Sequence, residues 1–160
     1  MPDDGPGPGR PGDPDADRAW LARAVELSRA CPPSRVAFSV GAVIVDADGQ
    51  EIAAGHSRET DPHEHAEEVA LARAAGDPRL AGATIYSSLE PCGARASRPR
   101  PCAALILDAG IPRVVFAWRE PSVFVDGTGA HTLRAAGRTV VELPALAPAA
   151  RAVNAHLLPD

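Results

Sequence analysis

The run Val40-Gly41-Ala42-Val43-Ile44-Val45 is apolar and rich in β-branched residues, with no polar alternation. It reads as a strand buried on both faces, the kind found in a sheet with helices on either side. Asp46-Ala47-Asp48-Gly49 is a turn, and residues 51–55 return as a second strand to make a hairpin. Upstream, Trp20, Leu21, Ala24, Val25 and Leu27 recur at helical spacing, which predicts a helix over residues 16–30, ended by Pro32-Pro33. Further helices are expected over 64–75, closed by Gly76 and Pro78, over 102–109, with Gly110 just past its end, over 131–136, closed by Gly137, and over 146–157. Strands are expected over 83–88, 113–118 and 139–143. Helices alternating with strands in this order predict a three-layer α/β/α sandwich with a mixed central sheet.

Composition narrows the class. The chain has 160 residues, which suits one domain. Hydrophobic residues make up 45% but aromatics only 4%, so Ala, Val, Leu and Ile must fill the core. Residues 1–15 are dense in Pro, Gly and Asp and are expected as a disordered tail, with the domain over 16–160. A net charge of −5 argues against a chain built to grip a long phosphate backbone. A small-molecule substrate is the easier reading, with neither nucleic acid nor membrane as partner. No apolar run approaches the ~20 residues of a membrane span. No charged start precedes an apolar stretch, so no secretion leader is expected. Three cysteines, an odd and low count, speak against a disulfide framework and for a reducing cytoplasm.

Four residues carry the chemistry: His65, Glu67, Cys92 and Cys102. His65-Ala66-Glu67 opens a predicted helix, Cys92 follows Pro91 after a strand, and Cys102 opens the next helix. One imidazole and two thiolates suit Zn2+, a borderline-soft ion. Three protein ligands leave a fourth position for water, the open arrangement of catalytic zinc sites. Zinc brings the pKa of such a water toward neutrality. Glu67, two residues from a ligand but not one itself, is placed to take the water's proton and deliver it to a ring nitrogen and departing ammonia. The order His-x-Glu…Pro-Cys resembles the zinc nucleobase deaminase signature, except that nine residues rather than two separate the cysteines.

That wider spacing resembles the deaminases of riboflavin biosynthesis, members of the cytidine deaminase-like superfamily, whose second zinc cysteine lies beyond a loop containing Arg and Pro. Here the loop runs from Cys92 through Gly93-Ala94-Arg95-Ala96-Ser97-Arg98-Pro99-Arg100-Pro101 to Cys102. Ala37-Phe38-Ser39-Val40-Gly41, Gly55-His56-Ser57-Arg58-Glu59 and Glu120-Pro121-Ser122-Val123-Phe124-Val125 resemble the stand-alone, fungal-type branch. The two-domain bacterial enzymes tend to have Asn-Pro in place of Ala37-Phe38 and Ser-His in place of Gly93-Ala94. The resemblance implies a diaminopyrimidinone substrate with a ribosylamino or ribitylamino 5′-phosphate, and a homodimer or larger homo-oligomer. Deamination of a cytosine-type base, nucleoside or nucleotide is the alternative, and editing of tRNA or single-stranded DNA a more distant one. A zinc-stabilised binding protein would have no need of Glu67.

Arg95, Arg98 and Arg100 offer guanidinium groups suited to a phosphate by bidentate contact, or else form a solvated basic loop. Arg58 is a further candidate for substrate binding, or a partner for an acid. His63, two residues before His65, is expected to turn away from the metal, and Glu68 to point elsewhere than Glu67. Phe38 and Phe124 are expected in the core, Cys31 as a small apolar filler, and Asn154 in packing or capping.

Overall fold

All five residues of β1 (Gly41–Val45) are buried, as their run demands. The computed structural model describes residues 8–93, 101–119 and 129–158. β1 pairs antiparallel with β2 (Glu51–His56) on one side and with β3 (Thr84–Leu89) on the other. β4 (Arg113–Trp118) lies parallel to β3, and β5 (Thr139–Glu142) parallel to β4. The sheet is therefore mixed, in the order β2-β1-β3-β4-β5. β1 and β2 are joined by a tight turn, and β3 follows after α2 (Ala66–Ala74). The parallel part of the sheet needs crossovers, which α3 (Cys102–Ala109) and α4 (Gly129–Ala135) supply.

Helices cover both faces. α1 (Pro14–Ser28) packs on β1 and β3, with α5 (Ala147–Val153) beside it on β4. α2 (Ala66–Ala74) packs on β2 and β1 and continues through α3 to α4. The three layers of an α/β/α sandwich follow. Gly41 sets how close the first layer lies: a Cβ there would stand 1.9 Å from the Ala24 carbonyl oxygen. Leu21, Ile44, Ile85, Ile106 and Val114 are fully buried, as are the aromatic Tyr86 and Phe116, and Trp20, Phe38 and Trp118 are nearly so. The Tyr86 hydroxyl donates to Asp17 Oδ1 at 2.6 Å, and Arg113 grips both Asp17 oxygens at 2.8 and 2.7 Å. Burial alone would raise the Asp17 pKa; the Arg113 and Tyr86 bonds outweigh it and hold the carboxyl below its ordinary value. The Tyr86 hydroxyl is pushed up by burial and by Asp17.

Several boundaries differ from the expected ones. α1 starts at Pro14 instead of residue 16, because the Asp13 carboxylate caps it by accepting from Asp15 N–H. The segment before it folds back where a tail through residue 15 was expected: Trp20 Nε1 donates to the Gly9 carbonyl at 2.9 Å, and Gly12 N–H donates to Asp17. A buried indole N–H needs such an acceptor. The single helix expected over 146–157 is three pieces, a 3₁₀ turn at Pro144–Leu146, α5, and a second 3₁₀ turn at Ala155–Leu157. The break falls at Asn154, whose side chain leaves helical duty to bind Ser39. A 3₁₀ turn at Pro78–Gly82, capped by Asp77, was not anticipated. No helix among the described residues is long and apolar enough to cross a membrane.

Candidate active site

The carboxyl end of β3, the start of α2 and the start of α3 meet at three side chains. His65 is the residue that caps α2, and its backbone N–H donates to the Glu68 carboxylate at 2.9 Å. That bond fixes the backbone from which the imidazole projects, and gives Glu68 an occupation distinct from that of Glu67. His65 Nδ1 lies 3.3 Å from Cys102 Sγ and 3.6 Å from Cys92 Sγ. The three donor atoms lie within 4.8 Å of one another, the only such group that could hold a metal among the described residues. Cys102 opens α3, and its backbone N–H donates to Cys92 Sγ at 3.2 Å. The next N–H, from Ala103, donates to the Cys92 carbonyl at 3.0 Å. The amino end of α3 is thus docked onto Cys92.

These donors fit zinc. Tetrahedral zinc at about 2.0–2.1 Å from nitrogen and about 2.3 Å from sulfur sets N···S separations of roughly 3.6 Å. The Cys92 thiol is also pulled down to about 4 by bonding from the Cys102 thiol, then from His65 and the Cys102 N–H, against the upward push of burial. His63 is not one of the three donors.

Glu67 is 3% exposed, so its carboxylate needs partners inside the protein. The Ser87 hydroxyl from β3 supplies one, 2.5 Å from Glu67 Oε1, and the same hydroxyl lies 2.7 Å from the Leu89 carbonyl. Glu90 is equally buried, and its Oε2 accepts from Ala130 N–H at 3.0 Å. Beside it a Cβ on Gly129 would stand 1.7 Å from the Pro91 carbonyl oxygen, so only glycine lets α4 approach the Pro91-Cys92 step. Sequence reading missed Ser87 and Glu90. The available signal was polarity inside a fully buried strand and directly before Pro91-Cys92, since buried polar groups must be bonded.

Phe38 and Trp118 meet edge to face with ring centroids 5.2 Å apart. Phe38 is buried, as expected for a core residue. Arg58 does not project freely: its guanidinium donates to the Pro32 and Phe38 carbonyls at 2.7 and 3.1 Å and to Ser39 Oγ at 2.8 Å. Asn154 holds Ser39 as well, through its N–H and its carbonyl. Cys31 is half-buried, with its Sγ 3.5 Å from the Val40 carbonyl. Arg95, Arg98, Arg100, Phe124 and the rest of residues 120–125 lie outside the described residues.

The chain is similar in sequence and fold to known proteins. A family model described as the cytidine and deoxycytidylate deaminase zinc-binding region matches residues 14–118. The diaminohydroxyphosphoribosylamino-pyrimidine deaminase of Schizosaccharomyces pombe is 37% identical over 126 residues, covering 77% of this chain and 31% of that protein. The chain spans about a third of the length of the curated relatives it matches. A diaminohydroxyphosphoribosylaminopyrimidine deaminase/5-amino-6-(5-phosphoribosylamino)uracil reductase from Thermotoga maritima superposes with a TM-score of 0.70 at 33% identity, over 86% of this chain and 38% of that one. Aspergillus oryzae Rib2 deaminase in complex with DARIPP superposes with a TM-score of 0.67 at 25% identity, over 78% of this chain and 81% of that one.

Proposed function

This chain belongs to the cytidine and deoxycytidylate deaminase zinc-binding family, and we propose that it is a zinc-dependent hydrolytic deaminase acting on a phosphorylated diaminopyrimidinone of riboflavin biosynthesis. The observation that carries the reading is the convergence of His65 Nδ1, Cys92 Sγ and Cys102 Sγ at the start of the helix that bears a buried Glu67. The resemblance to diaminohydroxyphosphoribosylamino-pyrimidine deaminases supports the choice of ring.

His65, Cys92 and Cys102 would hold the zinc. Held there, the ion would act as a Lewis acid that brings the pKa of a water toward neutrality. Net, water adds to the amino-bearing ring carbon, the C–N bond breaks, and the ring keeps a carbonyl while ammonia leaves. Glu67 takes one proton from water and passes it to the ring nitrogen, then takes the second from the added hydroxyl and passes it to the departing nitrogen. Ser87 serves both states of that shuttle. Its hydroxyl donates to the charged carboxylate, or rotates to donate to the Leu89 carbonyl and accepts from Glu67 when the carboxyl carries the proton. Arg95, Arg98 and Arg100, between the two zinc cysteines in sequence, are the proposed phosphate contacts. We propose a homo-oligomer, as the family resemblance implies.

The test is ammonia release from a panel of diaminopyrimidinones with ribosyl and ribityl arms, each with and without phosphate, beside cytosine, cytidine and deoxycytidylate. Preference for a phosphorylated diaminopyrimidinone is expected. A preference for a cytosine-type ring overturns the riboflavin reading and leaves a deaminase of that ring.

A further inference from the structure

Ser39 has three polar groups, and two side chains far away in sequence hold all of them. Asn154 Oδ1 accepts from Ser39 N–H at 2.6 Å, and Asn154 Nδ2 donates to the Ser39 carbonyl at 3.0 Å. Arg58 Nη2 donates to Ser39 Oγ at 2.8 Å, while Nη1 takes the carbonyl of Phe38 next to it. Asn154 is 1% exposed and Ser39 7%, so these bonds are shielded from water. The C-terminal segment adds another tie at the far end of the same loop, where His156 Nε2 lies 2.8 Å from the Ser34 carbonyl.

Arg58 adopts its place at a cost. Its φ of 56° is the only positive value on a non-glycine among the described residues. Such a backbone persists where surroundings over-determine it. Here its own N–H donates to the carbonyl of Glu64, the residue before His65, at 3.0 Å. One residue therefore links the segment that presents the imidazole to the segment that presents Phe38. On the other side, Phe38 stands edge-on to Trp118, whose carbonyl accepts from Glu90 N–H at 2.8 Å, two residues before Cys92. β1 begins beside the end of β3, where Gly41 N–H donates to Ser88 Oγ. The aromatic pair thus lies at the sheet end that carries Cys92, linked through Arg58 to the segment before His65 and through the Trp118 carbonyl to the segment before Cys92.

We infer that Arg58 and Asn154 are positioning residues that clasp Ser39 and so fix Phe38 against Trp118 as the wall that sets where a flat heteroaromatic ring lies beside the His65–Cys92–Cys102 cluster. The inference rests on the deaminase reading for its ring, and it gives Arg58 a role other than direct contact with substrate. Three of its five N–H groups are spent on the loop.

The test compares Arg58→Lys, Arg58→Gly, Asn154→Asp and Phe38→Ala with the wild type. Arg58→Gly relieves the left-handed backbone while removing the guanidinium; Asn154→Asp keeps the acceptor for Ser39 N–H and loses the donor. Zinc content should be unchanged in all four. Amide hydrogen exchange over residues 34–41 should rise about tenfold or more in the Arg58 and Asn154 variants, with α2 unaffected. Their kcat/KM should fall about tenfold for phosphorylated and dephosphorylated rings alike, and Arg58→Lys combined with Phe38→Ala should cost little more than Phe38→Ala alone. A loss confined to the phosphorylated ring overturns the inference, since Arg58 would then touch phosphate. Unchanged exchange at 34–41 overturns it too. A wild type that deaminates no ring sinks the deaminase reading, and the exchange result by itself then decides the clasp.

Discussion

Ser87 Oγ lies 2.5 Å from Glu67 Oε1, and these two residues come from different layers of the fold, a central strand and a covering helix. A hydrogen bond to a charged group is worth about 1.5–3 kcal/mol. Ser87→Ala should therefore lower kcat by about tenfold or more while zinc content and fold are retained. Wild-type turnover in that variant would show that Glu67 is oriented by something else.

Glu67→Gln keeps the shape of the shuttle and removes its proton chemistry. Turnover is expected to fall by ~10²–10⁴-fold, with zinc still bound. Steady-state ammonia release alongside metal analysis reads both quantities, and activity near wild type would assign the proton transfer to another group.

Metal content is the most direct check on the donor cluster. About one zinc per chain is expected, as a three-ligand site with water requires. Alanine at His65, Cys92 or Cys102 should abolish it and lower Tm, because zinc at about 1,000 times its Kd stabilises the folded chain by about 4 kcal/mol. Full zinc and activity in Cys102→Ala would remove Cys102 from the site.

The phosphate contact is tested by Arg95→Ala, Arg98→Ala and Arg100→Ala. At least one should raise KM about tenfold or more for the phosphorylated ring, the scale of a lost charge-assisted bond. The same variant should treat the dephosphorylated ring as wild type does. Three silent variants would make these arginines a solvated face.

Asp17 links α1 to β3 and β4 through Tyr86 and Arg113, and its pKa is lowered in the folded state. A depressed carboxylate pKa stabilises the fold fully above the ordinary carboxylate value, about 3.9, and that stability is lost as pH falls through the folded value. Asp17→Asn should cost about 2–4 kcal/mol at neutral pH, leaving Arg113 without its charge partner. Its stability should also fall less steeply than wild type in acid. Denaturant titrations at neutral pH and near pH 3 check both expectations, and parallel acid limbs would contradict the second.

Local pattern made much of this legible. The unbroken apolar run at residues 40–45 announced a strand covered on both sides, and all of Gly41–Val45 is buried. His65, Cys92 and Cys102 stood out by residue type and order, and their donor atoms converge. What sequence could not carry was pairing over distance. Asn154 reads as a residue for packing or capping until Ser39, 115 positions away, is seen to claim its amide. The fold-back of residues 8–13 depends on an indole N–H that composition does not weigh against Pro and Gly content. Ser87 and Glu90 offered only their polarity in and beside a buried strand as a signal, because each has its role through a partner on another element.

The docking of α3 on Cys92 has an evolutionary corollary. Cys102 is placed by being the first residue of a helix whose first two N–H groups land on Cys92. Its position owes nothing to how many residues separate the two cysteines. The same docking of a helix start on Cys92 is compatible with a longer or shorter stretch between the two cysteines. A search keyed to a fixed cysteine separation would overlook such chains, whereas one keyed to a cysteine at a helix start after a Pro-Cys step would find them.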